Sequence, residues 1–389
     1  MGATTTDGGP VGISSQPIQV LWLAKGLGPG GMERLLVHHA RLGDRTRFRY
    51  VAAYLVDRPE SVVRELESLD VECIRLGRSG GATAWLRDLR TLVRERDVDV
   101  VHSHSPMPAT GARVLLTAAR HSPPHVYTEH CTWGAYGAPT RVANASTYPL
   151  DDAQFAVSEG VRRSVPRLLR RHVEVLSHGI DLEDVRASPV RRAEVRAALD
   201  LRPDHVVVTN VANLRSEKGV DVLLDATADL VRDHPEVVVL SVGHGPRQAD
   251  LLARHAALGL GDRFRFLGFR SDVPELLGVS DVFCLSSRQE GLPLAFMEAS
   301  AAGLPTVATS VGGLGEHISN GVNGYLVPPD DARALSTALA RVAVDAPLRL
   351  RMGEAAHEMS AVFDARTAIE HQERCYEQLQ SGRSGRSGS

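Results

Sequence analysis

Short, continuously apolar segments alternate with longer amphipathic segments along almost the whole of this 389-residue chain. Strands that are apolar throughout and separated by helices belong to parallel sheets covered on both faces. The segments predicted to be strands are residues 18–24, 50–55, 71–76, 98–102, 125–128, 154–157 and 173–176 and, after a polar stretch, residues 206–211, 237–242, 265–267, 281–285, 306–308 and 324–327. The alternation of strands and helices thus starts again after the polar stretch, which predicts two doubly wound α/β domains rather than one barrel.

Ligands in such folds bind at the carboxyl ends of the strands, so the natural site is the cleft between the two domains. Helices are expected in the connecting segments, for example over residues 32–42, 84–96 and 158–171. The expected organisation is a disordered N-terminus (residues 1–16), two Rossmann-like domains (17–177 and 178–365), a C-terminal helix that crosses back to the first domain (366–380) and a disordered tail (381–389).

Composition argues against several classes of protein. The net charge is -3, so no basic field recruits nucleic acid. The four cysteines are scattered without a C-x-x-C pair, as expected for reduced thiols in the cytoplasm. The chain shows no signal-peptide pattern, and no apolar run approaches the roughly 20 residues that span a bilayer. We therefore expect a cytoplasmic globular protein.

A glycine-rich turn (residues 25–33) directly follows the first predicted strand. It contains G-x-G-x-x-G at Gly26, Gly28 and Gly31. Glycine lets the backbone approach a ligand closely, and the following helix presents free N–H groups to an anion. With Asp57 at the end of the second strand, the pattern is also the fingerprint of a dinucleotide site. The segment alone leaves open a dehydrogenase, another anion-binding enzyme and a plain tight turn.

Three histidines, His102, His104 and His130, stand at the ends of predicted strands. Three histidines could bind zinc, but no acidic or cysteine ligand pattern accompanies them. The favoured interpretation is that His104 lines a pocket in the cleft, that His130 shapes it, and that His102 is a packed polar residue.

The first turn of the second domain (residues 213–219) is basic. It holds Lys218, one of only two lysines in the chain, together with Asn213 and Arg215. Two cations at a helix N-terminus are what a diphosphate needs, both for binding and for stabilisation as a leaving group. A solvated surface pair is the alternative.

An acidic pair, Glu290 and Glu298, follows the predicted strand at 281–285. Glu298 falls in a very apolar helix, where a carboxylate is rarely buried without partners. Hydroxyls of a ribose or a hexose would supply such partners, whereas a helix cap plus an ion pair is the alternative. Further candidate binding residues in this domain are Ser287, Gly291 and Leu292 beside Glu290, Gly243 and Gly245 after its second strand, and Gly312 and Gly313 after its fifth.

Together these residues resemble family 4 glycosyltransferases of the GT-B fold, over about residues 18–380. The matching features are Gly30, Gly31 and Glu33; His104; Arg215 with Glu217, Lys218 and Gly219; residues 243–246; Glu290 and Glu298 as E-x7-E; and Gly312 with Gly313. Each is weak alone, but the ordered set is specific. A dehydrogenase gives no reason for the basic turn or the acidic pair.

The resemblance implies a retaining enzyme that moves a hexose-type sugar from a nucleoside-diphosphate sugar to an acceptor. Arg215 and Lys218 would hold the diphosphate, and Glu298 would hold the ribose hydroxyls. Glu290 would contact the donor sugar, while His104 would face the sugar near the reacting centre.

Gly31 would approach the phosphate across the cleft. The family uses neither a metal nor another cofactor, and its leaving phosphate helps to deprotonate the acceptor during front-side attack. One departure is His178, which stands at the domain junction where many relatives have asparagine.

The acceptor, a glycan, glycolipid or small molecule, is expected on the first domain, at the loop over residues 131–149. Trp133 and Tyr136 offer aromatic faces there, next to His130. An arginine-rich segment (residues 162–172) with interleaved apolar residues suggests peripheral contact with anionic lipid at the inner face of the membrane. A solvated helix face is the alternative.

Three other classes remain open. A GT-B sugar-nucleotide epimerase would release a hexose from the donor alone. A catalytically silent partner subunit would bind nucleotide without turnover, and an NAD(P)-dependent oxidoreductase would bind nicotinamide.

Overall fold

The computed structural model describes residues 16–58, 60–78, 80–81, 83–118, 122–187 and 192–384. Of the two ends that were expected to be disordered, residues 1–15 and 385–389 lie outside the described residues. The described part of the chain forms two parallel sheets with helices around them. None of its helices has both the length and the apolar composition needed to cross a bilayer.

All thirteen predicted strands are present. The first sheet contains β1 (Ile18–Gly26), β2 (Phe48–Val56), β3 (Glu72–Arg75), β4 (Val100–Ser103), β5 (His125–Glu129), β6 (Ala153–Ala156) and β7 (Val173–Val175). The second contains β8 (Val206–Val211), β9 (Val237–Val242), β10 (Phe264–Gly268), β11 (Val282–Leu285), β12 (Thr306–Thr309) and β13 (Gly324–Val327). The prediction of two parallel α/β domains is confirmed.

Helices connect the strands. Over the described residues they are α1 (Gly31–Leu42), α2 (Val63–Ser68), α3 (Ala84–Glu95), α4 (Pro106–Thr117), α5 (Ala138–Thr147), α6 (Glu159–Ser164), α7 (Leu182–Ala187), α8 (Arg192–Ala198), α9 (Val220–Asp233), α10 (Gln248–Ala257), α11 (Val273–Gly278), α12 (Leu294–Ala301), α13 (Leu314–His317), α14 (Ala332–Val344), α15 (Ala346–Met359) and α16 (Ala365–Ser384). In α1, Leu36, Val37 and Ala40 share one face and are buried, as expected of an amphipathic helix on a sheet.

The strand order fixes where a ligand can bind. It is β3-β2-β1-β4-β5-β6-β7 in the first sheet and β10-β9-β8-β11-β12-β13 in the second. Each order reverses beside its first strand, between β1 and β4 and between β8 and β11, and a crevice opens there at the carboxyl ends. The central strand β1 is buried on both faces, since residues 20–24 are at most 1% exposed.

The helix predicted over residues 158–171 is wrong in length. It ends at Ser164, and a separate 3-10 turn follows at Arg170–His172. Pro166 explains the break, because a residue that precedes proline is driven out of the helical region. Val165 accordingly has extended backbone (φ -65°, ψ 137°).

The C-terminal helix α16 packs against α1 and β4 of the first domain. Tyr376 on this helix is fully buried, and its hydroxyl lies 2.6 Å from His102 Nδ1 on β4. The helix continues to Ser384, so residues 381–384 are helical where the sequence predicted disorder.

Candidate functional site

The basic turn (residues 213–219) joins the carboxyl end of β8 to α9. The Asn213 carbonyl accepts the Arg215 N–H at 2.8 Å, and Ser216–Lys218 form one turn of 3-10 helix. Gly219 follows with φ +60°, where a Cβ would lie 2.0 Å from a carbonyl oxygen of the loop after β11, so only glycine fits. The Arg215 side chain is 52% exposed, which leaves its guanidinium accessible to an anion.

The loop after β11 (residues 286–293), here called the acidic loop, carries the buried carboxylate of Glu290. Lys218 Nζ donates to both Glu290 oxygens at 2.8 and 2.7 Å. Ser287 Oγ donates to Glu290 Oε1 at 2.6 Å. The Glu290 side chain is only 6% exposed, and a buried charge of this kind needs such partners. The structure thus brings together three of the predicted site residues.

The glycine turn of the first domain faces the start of α12 in the second domain. Gly30 has extended backbone (φ -87°, ψ 169°), and α1 begins at Gly31 without a side-chain cap. A Cβ at Gly31 would lie 3.9 Å from Leu294 Cγ. The N-terminus of α1 therefore opens toward the other domain, and its free N–H groups favour an anion there.

Glu33 places a carboxyl group in the first turn of α1. Burial raises its pKa to about 6, against the opposing effects of the Gly28 and Glu33 N–H groups and of the positive charges of Arg215 and Arg58. The side chain folds back over the glycine turn, since a Cβ at Gly30 would lie 2.5 Å from Glu33 Oε2. Arg215 of the second domain is therefore close to a carboxyl group of the first.

Glu298 projects from α12 toward the same region. Burial raises its pKa, and the charge of Arg34 on α1 lowers it. Within the described part of the chain the Glu298 side chain makes no hydrogen bond. A partly buried carboxyl group in this position gains from the hydroxyl donors of a ligand.

Burial keeps the cleft histidines neutral, because it lowers the pKa of His102, His104 and His130 well below 6.5. His102 is fully buried and uses both ring nitrogens, Nδ1 with Tyr376 and Nε2 with the Thr128 hydroxyl at 2.7 Å. His104 Nδ1 lies 3.1 Å from His130 Nε2. His104 Nε2 is buried and has no hydrogen-bond partner among the described residues, so a polar group of a ligand that reached it would satisfy it.

These histidines do not form the zinc site considered above. Over residues 16–384, apart from the short undescribed gaps, no group of three or more His, Cys, Asp or Glu side chains could hold a metal ion. His102 is unsuitable because both of its ring nitrogens are already bonded.

His178, at the domain junction, holds the acidic loop. Its Nε2 donates to the Leu292 carbonyl at 2.9 Å. Burial lowers the pKa of His178 to about 4, so the ring is neutral and Nδ1 remains a free acceptor. An asparagine amide at this position would also be able to donate to Leu292. Leu292 itself is 4% exposed, and its side chain belongs to the core.

The glycines of the acidic loop and its neighbours stand where chain segments cross. A Cβ at Gly291 would lie 2.1 Å from the His130 carbonyl oxygen of the first domain. Similar crowding, at 2.1 to 2.7 Å, applies to Gly243, Gly245, Gly312 and Gly313. The close approach that requires glycine here is made by the chain itself, in addition to any approach by a ligand.

The aromatic residues predicted on the acceptor side lie deeper than expected. Trp133 is 5% exposed and packs edge-on against Tyr148, with ring centroids 5.6 Å apart. Tyr136 is half-buried, and its hydroxyl donates to Glu129. Trp133 is therefore a core residue, which corrects the expectation that its ring face is open to an acceptor.

For two carboxyl groups near the site, Glu33 and Glu129, the sequence predicts no role, although Glu33 belongs to the motif of the glycine turn. Glu129 ends β5, is fully buried, and has its pKa raised to about 7 by burial. Glu33 lies in the motif that follows β1, and Glu129 is the last residue of β5, so both are near the strand ends where ligands bind in this fold. Position was therefore a usable signal, whereas their burial depends on the tertiary structure.

Comparisons with known proteins agree with this geometry. A family model described as Glycosyltransferase Family 4 matches residues 29–184, and one described as Glycosyl transferases group 1 matches residues 191–359. The D-inositol 3-phosphate glycosyltransferase of Kribbella flavida is 31% identical over 300 residues, which cover 68% of each chain. An Escherichia coli UDP-Gal:alpha-D-GlcNAc-diphosphoundecaprenol alpha-1,3-galactosyltransferase is 31% identical over 182 residues, 46% of this chain and 47% of the relative.

The crystal structure of Anabaena HepE in complex with UDP and glucose superposes with a TM-score of 0.82 at 23% identity. The match covers 94% of this chain and all of that one. The fold, the matched families and the arrangement of the basic turn and the acidic pair exclude the dehydrogenase alternative. The chain belongs to the family 4 glycosyltransferases and has the GT-B fold.

Proposed function

We propose that this glycosyltransferase moves a hexose-type sugar from a nucleoside-diphosphate sugar to an acceptor, with retention of anomeric configuration and without a metal. One observation carries the proposal: Lys218, Glu290 and Ser287 form a hydrogen-bonded cluster beside the exposed guanidinium of Arg215. Two cations suit a diphosphate, and a neighbouring carboxylate suits the hydroxyls of the sugar attached to it.

The donor would span the cleft. Arg215 and Lys218 would bind the diphosphate, and the free N–H groups of α1 at Gly31 would approach it from the other domain. Glu298, which makes no hydrogen bond in the described chain, would accept from the ribose. A UDP-sugar is the favoured donor, because the HepE structure holds UDP and the E. coli relative is named for UDP-Gal.

In the proposed mechanism, the positive charges of Arg215 and Lys218 stabilise the charge that develops on the leaving diphosphate. The leaving phosphate oxygen takes the proton of the acceptor as the new bond forms on the same face of the sugar. His104, which is neutral, offers Nε2 to a sugar hydroxyl near the reacting centre. A neutral ring places no positive charge there that would oppose an oxocarbenium-like transition state.

Replacement of the two ion-pair partners tests the assignment. We expect Glu290→Ala and Lys218→Ala each to lower sugar transfer at least about 10²-fold, because each removes a charged contact made to the reacting donor. Arg232→Ala is the control, since Arg232 is an exposed cation in the last turn of α9 that pairs with Asp229 at 3.0 Å and lies outside the proposed site. Circular dichroism checks the fold. Near-wild-type turnover by either site variant would overturn the assignment.

Metal dependence and product analysis test the rest of the proposal. Full transfer in excess EDTA is expected, and a strict requirement for a divalent cation would contradict the mechanism. An epimerase would release free hexose from the donor without an acceptor. A hexose product that forms without an acceptor would therefore show epimerase activity instead of sugar transfer.

The acceptor differs among relatives, since the names of the two relatives above refer to D-inositol 3-phosphate and to a lipid-linked diphosphate.

Leu168 is 88% exposed between the exposed Arg167 and Arg171, and we propose that this segment contacts anionic lipid. Arg162 and Arg163 contribute less, because both pair with Glu159. Flotation with vesicles containing anionic lipid should exceed flotation with neutral vesicles, and equal flotation would refute the contact.

A further inference from the structure

Arg288 lies in the acidic loop, two residues before Glu290, and its guanidinium reaches three other segments. Nη1 donates to the Ser216 carbonyl in the basic turn at 2.6 Å. Nη1 and Nη2 donate to the two carboxylate oxygens of Asp221 on α9, each at 3.0 Å. Nε donates to Asp330, in the loop after β13, at 2.6 Å. One side chain thus joins the acidic loop to the basic turn and to two further elements.

The main chain makes the same connection. The N–H groups of Arg288 and Gln289 donate to the Glu217 carbonyl at 2.8 and 3.3 Å. Ser286 Oγ donates to the Lys218 carbonyl at 3.2 Å. The segment that carries the two cations and the segment that carries Glu290 are therefore held together from both sides.

The geometry of these bonds requires an arginine. The Arg288 side chain is 29% exposed and that of Asp221 is 23% exposed, so water screens the pair only in part. The planar guanidinium donates in three directions at once, bidentate to Asp221 and singly to Asp330 and Ser216. A lysine ammonium would keep the charge but cannot reproduce this fork. Burial alone would raise the pKa of Asp221, but hydrogen bonds from Arg288 and its charge lower it.

We propose that Arg288 is a positioning residue for sugar transfer: it fixes the basic turn against the acidic loop, so that Lys218 and Glu290 meet the donor together. The inference rests on the proposed function. Arg288 itself would not touch the reacting atoms, because four of its five N–H donors are occupied by Ser216, Asp221 and Asp330.

The chain offers a matched control, a second arginine–aspartate pair whose aspartate lies on α9. Arg254 on α10 makes a bidentate pair with Asp225, at 2.9 and 2.6 Å, and Asp225 lies one helical turn along α9 from Asp221. Arg254 is not bonded to the basic turn or to the acidic loop. Arg254→Ala therefore removes an arginine–aspartate pair from α9 while leaving the junction between the two site segments intact.

The experiment compares wild type with Arg288→Ala, Arg288→Lys and Arg254→Ala. The probe is whichever of UDP-, GDP-, ADP- and dTDP-glucose gives wild type the largest thermal shift, and turnover is release of the nucleoside diphosphate. We expect both Arg288 variants to lose about 10²-fold in kcat, the size of effect that a misplacement of about 1 Å produces, with donor KM changed less than about threefold. Arg254→Ala should keep kcat within about twofold of wild type.

Chemical rescue separates positioning from general damage to the fold. Added guanidinium at a concentration that leaves wild type unaffected should restore part of the kcat of Arg288→Ala and leave Arg254→Ala unchanged. Binding of the matching nucleoside diphosphate by calorimetry separates this inference from the proposed function. Wild type that binds none of the four diphosphates would overturn both. Wild type that binds and turns over, together with an Arg288→Lys variant of wild-type kcat, would overturn the role of Arg288 alone.

Discussion

Glu129 shows how strongly the tertiary structure changes the pKa of one carboxyl group. Burial raises its pKa to about 7 from an ordinary value of 4.5. Between these pH values the folded protein holds a proton that the unfolded chain has lost, so the free energy of unfolding should fall as pH rises from about 4.5 to 7, by about 3 kcal/mol in total. We expect Glu129→Gln to remove most of this fall. Urea denaturation across the pH range measures it.

The control for this prediction is Glu358→Gln, since Glu358 is exposed on α15. The buried histidines act in the opposite direction and destabilise the fold toward acid, but they are common to all three proteins. The comparison therefore isolates Glu129. Equal pH dependence of wild type and Glu129→Gln would show that this carboxyl group does not titrate as its burial predicts.

Glu33 leads to a prediction on donor binding. Its carboxyl group, with a pKa of about 6, shares Arg215 with the diphosphate of the proposed donor. The ionised form competes with the donor for that charge, so donor affinity should weaken as pH rises from about 5 to 7.5. Glu33→Gln should bind the donor more tightly at pH 7.5 and flatten the dependence. Calorimetry with a nucleotide sugar measures this, because its diphosphate has no terminal phosphate that titrates in this range; an unchanged slope would contradict the competition.

At the scale of elements, a buried hydrogen bond helps to attach α16 to the first domain. The hydroxyl of Tyr376 bonds the fully buried His102. Tyr376→Phe should leave His102 Nδ1 unsatisfied and cost about 1–3 kcal/mol in the free energy of unfolding. Tyr325→Phe serves as the control, because Tyr325 is half-buried and that change should stay within about 0.5 kcal/mol. Equal stability of the two variants would show that the contact contributes nothing to the attachment of α16.

The predictability of these elements follows from the range of the interactions behind them. Apolar runs and their spacing are local, and the strands predicted from them are all present. The helix predicted over residues 158–171 is wrong because Pro166 ends it, and that effect is also local. Burial of Trp133 and the contacts of Arg288 join segments far apart in the chain, so no local pattern contains them. The motif residues Lys218 and Glu290 were predicted as a set, but their direct ion pair required the fold.

At the scale of the whole molecule, the two domains are in contact at a glycine, where there is no room for a side chain. Gly291 lies against the His130 carbonyl. Nearby, the Glu316 carboxylate accepts from the Glu159 and Gly160 N–H groups of the other domain at 3.1 and 2.7 Å. Catalysis that uses the cleft requires both walls, since His104 belongs to one domain and the acidic loop to the other.

Gly291→Ala tests this contact. Its Cβ would lie 2.1 Å from the His130 oxygen, a distance that forces the two walls apart. We expect turnover to fall at least about tenfold, because displacements near 1 Å are costly to catalysis. The affinity for the nucleoside diphosphate should change little, because Arg215 and Lys218, which would bind the diphosphate, both belong to the second domain. X-ray scattering should show a larger radius of gyration. Gly315→Ala, with no atom within 4 Å of the added Cβ, should match wild type in both measurements. A Gly291→Ala variant with wild-type turnover and scattering would show that the two domains can act without this contact.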